Sequence, residues 1–145
     1  MNSISLLFWS RLLQLAAVLV IALSAVLLLA PPLGGTIFNV VYFHQPAFAV
    51  AIPAQAEAYI RFVHGVLGAV MAGWMLAVIA LARGPFAAGQ RHAWNTIALS
   101  VGGWFLIDTT FSAAHGVWGN VALNVATALL FAVPLLGSRK HFRAR

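Results

Sequence analysis

Residues 94–115, WNTIALSVGGWFLIDTTFSAAH, decide how this chain is read. At 1.5 Å per residue the run is long enough to cross about 30 Å of hydrocarbon as a helix. It holds a single formal charge, Asp108, unless His115 is protonated. An ionised carboxylate near the centre of an inserted helix costs roughly 2.5–3.5 kcal/mol on insertion scales, so such residues face a partner or a water-filled cavity. The stretch therefore reads as a membrane span and marks the point in it where function is to be sought.

Composition agrees. Of 145 residues 63% are apolar and 7% charged, against about 25% charged in soluble domains. The net charge of +6 raises the question of nucleic acid. However, Arg11, Arg83, Arg91, Arg139, Lys140, Arg143 and Arg145 sit near the chain ends or beside apolar segments, and they form no basic stripe interleaved with aromatics. No nucleic-acid partner is expected. The absence of cysteine excludes disulfides and thiolate chemistry.

Four segments have the length and apolarity of spans, at about 12–30, 56–82, 94–115 and 119–136. The expected fold is all-α, one polytopic membrane domain over 1–145 built as an antiparallel four-helix bundle, because the connections at 84–92 and 115–118 are short. The first segment is longer than the 7–15 residues of a signal-peptide core and no clear small-residue cleavage site follows, so it is expected to stay as a span. With the N-terminus in the cytoplasm, seven of eight basic residues lie inside and only Arg61 falls outside. The positive-inside rule thus orients both termini inward, in a cell (inner) membrane of bacterial type. Trp9 and Trp94 are expected at the inner interface and Trp118 at the outer one. Pro31 to Ala56 forms an apolar outer loop. Its parts 37–43 and 48–52 are expected as short interfacial segments, helical or covered by protein, since bare backbone does not dip into lipid.

Span two carries Gly65, Ala69 and Gly73 at intervals of four, with Gly68 and Ala72 alongside. Small residues at this spacing let helices approach closely, either within the bundle or in a homo-oligomer; packing within the bundle is the plainer reading. Trp74 and Trp104 are expected to fill the core.

The remaining polar residues form three stripes at helical spacing: Asp108, Ser112 and His115; Asn120, Asn124 and Thr127; Glu57, Arg61 and His64. All fall in the expected outer half of the membrane, with Asp108 about 10 Å below the outer end of its span. A buried Arg61–Asp108 pair would account for both costly residues. Against this stand plainer roles. Asn120 and Asn124 can bond across helices, Glu57–Arg61 suits a solvated helix start, and His115 beside a turn glycine suits the surface.

No phosphate-binding glycine loop, HExxH or nucleophile motif is present. The first functional expectation is a non-catalytic binding or scaffold protein. Its outer polar pocket, formed by Glu57, Arg61, His64, Asp108, Ser112, His115, Asn120 and Asn124, would be roofed by the loop around Phe38, Tyr42 and His44. It would accept a lipid-like amphiphile or another membrane protein's helix, with no cofactor. An alternative is an enzyme, or a metal or haem redox site, using His44, His64, His115, Glu57 and Asp108, although their spacing matches no established ligand pattern. A second alternative is a small proton- or cation-coupled transporter using Asp108.

Gly73-Trp74, Gly84-Pro85-Phe86, Trp94, the run Trp104 to Thr109 and the pair Asn120 and Asn124 together resemble small four-span bacterial membrane proteins of unknown function, over about half the chain. The four-span layout, with Arg61 near the start of span two, is also similar to the ergosterol-synthesis scaffold proteins of the endoplasmic reticulum. That resemblance implies a tethering role without catalysis and carries over no site residue.

Overall fold

The computed structural model describes residues 3–46 and 52–142. Most of the expected interfacial segment at 48–52, and Arg143 and Arg145 of the basic tail, lie outside the described residues. Helix α1 spans Ser3–Leu29, α2 Pro31–Phe43, α3 Ala54–Leu81, α4 Arg91–Ala114 and α5 Trp118–Ser138. One π-helical turn, Ala82–Phe86, continues α3, and one 3-10 turn, Arg139–His141, follows α5. Four helical stretches are long and apolar enough to cross a membrane: Leu6–Leu29, Ala54–Phe86, Arg91–Ala114 and Trp118–His141. Large apolar side chains such as Leu19, Phe62, Val70, Leu99, Leu106 and Ile107 are half or more exposed on their outer faces. Apolar surface on that scale belongs in lipid. This is an all-α, multi-pass membrane protein.

The helices run past the expected span limits by up to nine residues, at the start of α1, because a helix does not stop where the hydrocarbon does. Arg11 accordingly lies within α1, exposed. Proline sets the next boundary. Ala30 precedes Pro31-Pro32 and leaves the helical region, at φ −130° and ψ 61°, because the ring of a following proline crowds the α conformation. The prolines then begin α2, where their missing N–H groups are not needed. The interfacial segment expected at 37–43 is the second half of this helix, which ends on His44 in the left-handed conformation (φ 57°), its N–H bonded to the Val40 carbonyl.

The two tight connections share one construction. Gly89 (φ 77°) and Gly116 (φ 72°) adopt a backbone that side chains disfavour. Around Gly89 the bonds are Gln90 N to Pro85 O and Gly89 N to Phe86 O, and around Gly116 they are Val117 N to Ser112 O and Gly116 N to Ala113 O. These 6→1 and 5→2 pairs satisfy the last carbonyls of each helix. Pro85 has no N–H to give to the preceding turn, which favours the widened π turn around it. The buried Ser10 hydroxyl donates to the Ala82 carbonyl there, at 2.7 Å, and so ties α1 to it.

In space the order of packing is α3, α1, α5, α4. Helix α1 lies against α3 and α5, and α5 against α4, whereas α3 and α4 scarcely touch. The seam between α3 and α4 is therefore loosely packed, bridged by Trp74 and Trp104 and, at the basic end, by the π turn against α4. The core fills the basic end, where Arg11, Arg83, Arg91 and Arg139 lie, with Leu13, Met75, Val78, Phe86, Ile97 and Phe131 fully buried. Trp9, expected at the inner interface, packs inward at the basic end. Its ring lies on Gly137, where a Cβ would come within 2.4 Å, and its buried Nε1 makes no hydrogen bond. Trp94 Nε1 instead donates to the Leu135 carbonyl at 2.9 Å, tying α4 to α5. Trp118 is 66% exposed.

The small-residue stripe packs differently from expectation. Gly68 is the close approach: a Cβ there would meet the Ser24 carbonyl of α1 at 2.9 Å. Gly65 and Gly73 have nothing within 4 Å of that position and Ala69 is exposed. Helix α1 covers the face of α3 that carries Gly68, so the Gly65–Ala69–Gly73 face is left open.

Candidate functional site

The end of the bundle opposite the basic end holds the polar residues. The Gly116 turn folds α5 back on α4 so that the first two turns of α5 face the last turns of α4. There Asp108 Oδ1 accepts from Ser112 Oγ at 3.0 Å and from Asn120 Nδ2 at 3.0 Å, and Asn120 Nδ2 also donates to Ser112 Oγ at 2.8 Å. The donor count closes. The Asn120 amide has two protons, one for each oxygen, and the Ser112 hydroxyl gives its proton to the carboxylate while accepting from the amide. One turn deeper, Asn124 Nδ2 points to Thr109 Oγ1 at 3.4 Å. Ser112, Asn120 and Asn124 are buried while Asp108 is half-buried. Thr109 was not among the expected pocket residues. Its place one residue after Asp108 put it on a different stripe, and only the packing of α5 reveals its role.

Neutral donors lower the cost of burying a carboxylate without neutralising it. The cation expected to do so does not reach it. Arg61 pairs with Glu57 one turn earlier on α3, both side chains about half exposed at 51% and 48%. The expected Arg61–Asp108 pair is therefore not formed: α3 and α4 are only loosely packed along their seam, and Arg61 finds a carboxylate on its own helix at the favourable i, i+4 spacing.

Helix α2 covers this end of the bundle. The Val41 carbonyl lies against Gly119 so closely that a Cβ on Gly119 would fall 1.9 Å from it. Phe38 stacks on His64 of α3, with ring centroids 4.5 Å apart and planes at 19°. Tyr42 is tilted against Phe38 at 5.9 Å. Its phenol is pushed above its ordinary value, first by burial and second by the negative charge of Asp108. Below Asp108, at i−4 on the same face of α4, Trp104 meets Trp74 of α3 at 5.8 Å. The two tryptophans expected in the core are both half-buried and meet between α3 and α4.

The three stripes thus come together only in part. Asp108, Ser112, Asn120 and Asn124 meet, whereas His64 joins through α2 and Glu57 and Arg61 stand apart as a pair. His115 is exposed, its Nδ1 2.8 Å from the Phe111 carbonyl of its own helix. His44 is exposed at the end of α2. Among the described residues no three His, Cys, Asp or Glu side chains lie close enough to hold a metal ion together. The five donors of the metal alternative do not converge. No family model, curated protein or solved structure matches this chain.

Proposed function

We propose that the protein is a non-catalytic membrane binding protein whose polar niche around Asp108 receives an amphipathic ligand or a partner's transmembrane helix. The observation that carries this reading is the state of Asp108, a half-buried carboxylate held by Ser112 and Asn120 and in no ion pair among the described residues. One turn below it on the same face of α4 stands Trp104, which meets Trp74 of α3. Apolar walls with a few converging polar groups are what a binding pocket for an amphiphile requires. Intramembrane carboxylates are costly enough that a structural role alone is the weaker account.

In this reading both termini are cytoplasmic in a cell (inner) membrane and the niche lies in the outer half of the bilayer. The concentration of Arg11, Arg83, Arg91, Arg139 and Lys140 at the opposite end of the bundle supports that orientation. The open space beside Gly65 and Gly73 supports a homo-oligomeric contact on that face of α3.

The test is mass spectrometry of molecules retained by protein purified in a mild non-ionic detergent. Wild type is expected to keep an amphiphile at near-stoichiometric level. Asp108→Asn and Trp104→Leu, checked for retained helicity and cooperative melting, are expected to keep much less. Equal retention by all three proteins, or none by any, contradicts a binding niche at Asp108.

A further inference from the structure

We infer that the ligand's polar end is an organic ammonium group, bound at the Asp108 end of the seam between α3 and α4; this rests on the niche being a binding site. The geometry is a run of aromatic neighbours on α2, α3 and α4 at the Asp108 end of the seam. His64 on α3 stacks with Phe38 and Phe38 touches Tyr42; the Tyr42 phenol is raised first by burial and second by the charge of Asp108. Trp104 stands one turn below Asp108 on α4 and meets Trp74 of α3. These six residues carry five aromatic rings and one carboxylate at this end of the bundle.

Each alternative class of ligand meets an obstacle. An anion would face the uncompensated carboxylate. Arg61, the one arginine or lysine of α3, is already engaged with Glu57. A calcium ion wants six to eight oxygen ligands and magnesium a near-ideal octahedron. These residues offer one carboxylate, one phenol and aromatic faces. An alkylammonium group suits that set, because its diffuse charge is attracted to aromatic faces within about 6 Å and gains further when desolvated. It needs few directed oxygen ligands and pairs with the carboxylate at a distance. The amphiphilic part of the assignment follows from the seam. Apart from the Trp74–Trp104 contact, α3 and α4 scarcely touch, so an alkyl chain attached to the ammonium has a lateral way out between them, beside that pair, into lipid.

The experiment compares dodecyltrimethylammonium with dodecanol, which share a chain length and differ in charge. Both are titrated into protein in nanodiscs of a neutral lipid. Binding is read as a saturable change in tryptophan fluorescence and as adduct mass in native mass spectrometry. Wild type is expected to bind the ammonium at least tenfold more tightly than the alcohol. Asp108→Asn, which keeps an oxygen for Ser112 and Asn120, is expected to erase that preference. Glu57→Gln, on the separate surface pair, is expected to retain it. Trp104→Leu supplies a second variant and is expected to weaken ammonium binding threefold or more while leaving Asp108 in place. Saturable binding of both compounds with equal affinity overturns the ammonium assignment and leaves the niche intact. Binding of neither overturns both. A preference that survives in Asp108→Asn also overturns the assignment.

Discussion

Asn120 Nδ2 stands 3.0 Å from Asp108 Oδ1 across the α4–α5 turn, so the carboxylate of one helix is held by the amide of the next. That bond links the site to the fold, because it exists only while the Gly116 turn keeps α5 against α4. Interhelical polar bonds in membranes contribute about 0.6 kcal/mol on average and up to about 1.7; one made to a carboxylate belongs at the upper end. Asn120→Ala is expected to lower stability by about 1–2 kcal/mol in detergent, measured by reversible unfolding. In a double-mutant cycle with Asp108→Asn the two effects should be clearly non-additive.

The same cycle run between Asp108→Leu and Arg61→Leu is expected to be additive within about 0.5 kcal/mol, as for residues that share no partner. Arg61→Leu alone should cost at most about 1 kcal/mol, since its pair with Glu57 is half exposed and screened. Coupling of a few kcal/mol between the two would mean that they meet across the seam.

Gly119→Ala should undock α2. The added Cβ would fall 1.9 Å from the Val41 carbonyl, and backbone, unlike the tip of a flexible side chain, cannot swing aside. Overpacking of this kind typically costs about 1–3 kcal/mol. The expected signature is local: faster hydrogen exchange over residues 34–43 with little change in α1 or α3. Unchanged protection there would show that α2 does not seat on Gly119.

Tyr42 gives a spectroscopic handle on the charge of Asp108. Its phenol is raised by burial and then by that carboxylate. Folding therefore favours the protonated phenol. The stability this contributes is fully present below the ordinary tyrosine value of about 10 and is lost as pH rises through the higher folded value. In a Tyr59→Phe background, absorbance titration should find Tyr42 ionising later than a free phenol. Asp108→Asn should bring that ionisation down part of the way, leaving the contribution of burial. No movement on that change would place Asp108 too far from Tyr42 to sense it.

The chain has no cysteine, so single introduced cysteines report topology without background. Gln45→Cys and Val117→Cys should label from outside intact cells, and Ala88→Cys and Lys140→Cys only after permeabilisation. Any one of the four reacting from the opposite side overturns the proposed orientation.

Much of this architecture is legible in the residues. The four spans follow from apolar length, the end of α1 from Pro31-Pro32, and the turns from Gly89 and Gly116. The meeting of Asp108 with Ser112 is a one-turn spacing, and its meeting with Asn120 follows once a four-residue turn folds α5 back. Other features depended on which helices are neighbours, and periodicity is silent on that. Spans two and three are consecutive, yet α3 rests on α1 and α4 on α5, so Arg61 turns to Glu57. For the same reason Gly68, and not the Gly65–Ala69–Gly73 stripe, makes the close approach. Tyr42 and Thr109 gained their places beside the niche from the docking of α2 and α5.

The most direct measurement of the central claim, an uncompensated carboxylate facing a binding space, is a structure of the protein reconstituted in lipid. The account predicts an elongated density between α3 and α4 with one end against the Asp108 carboxylate, and Arg61 still paired with Glu57. A closed seam, with α3 packed on α4 and the Arg61 guanidinium on Asp108, would contradict it.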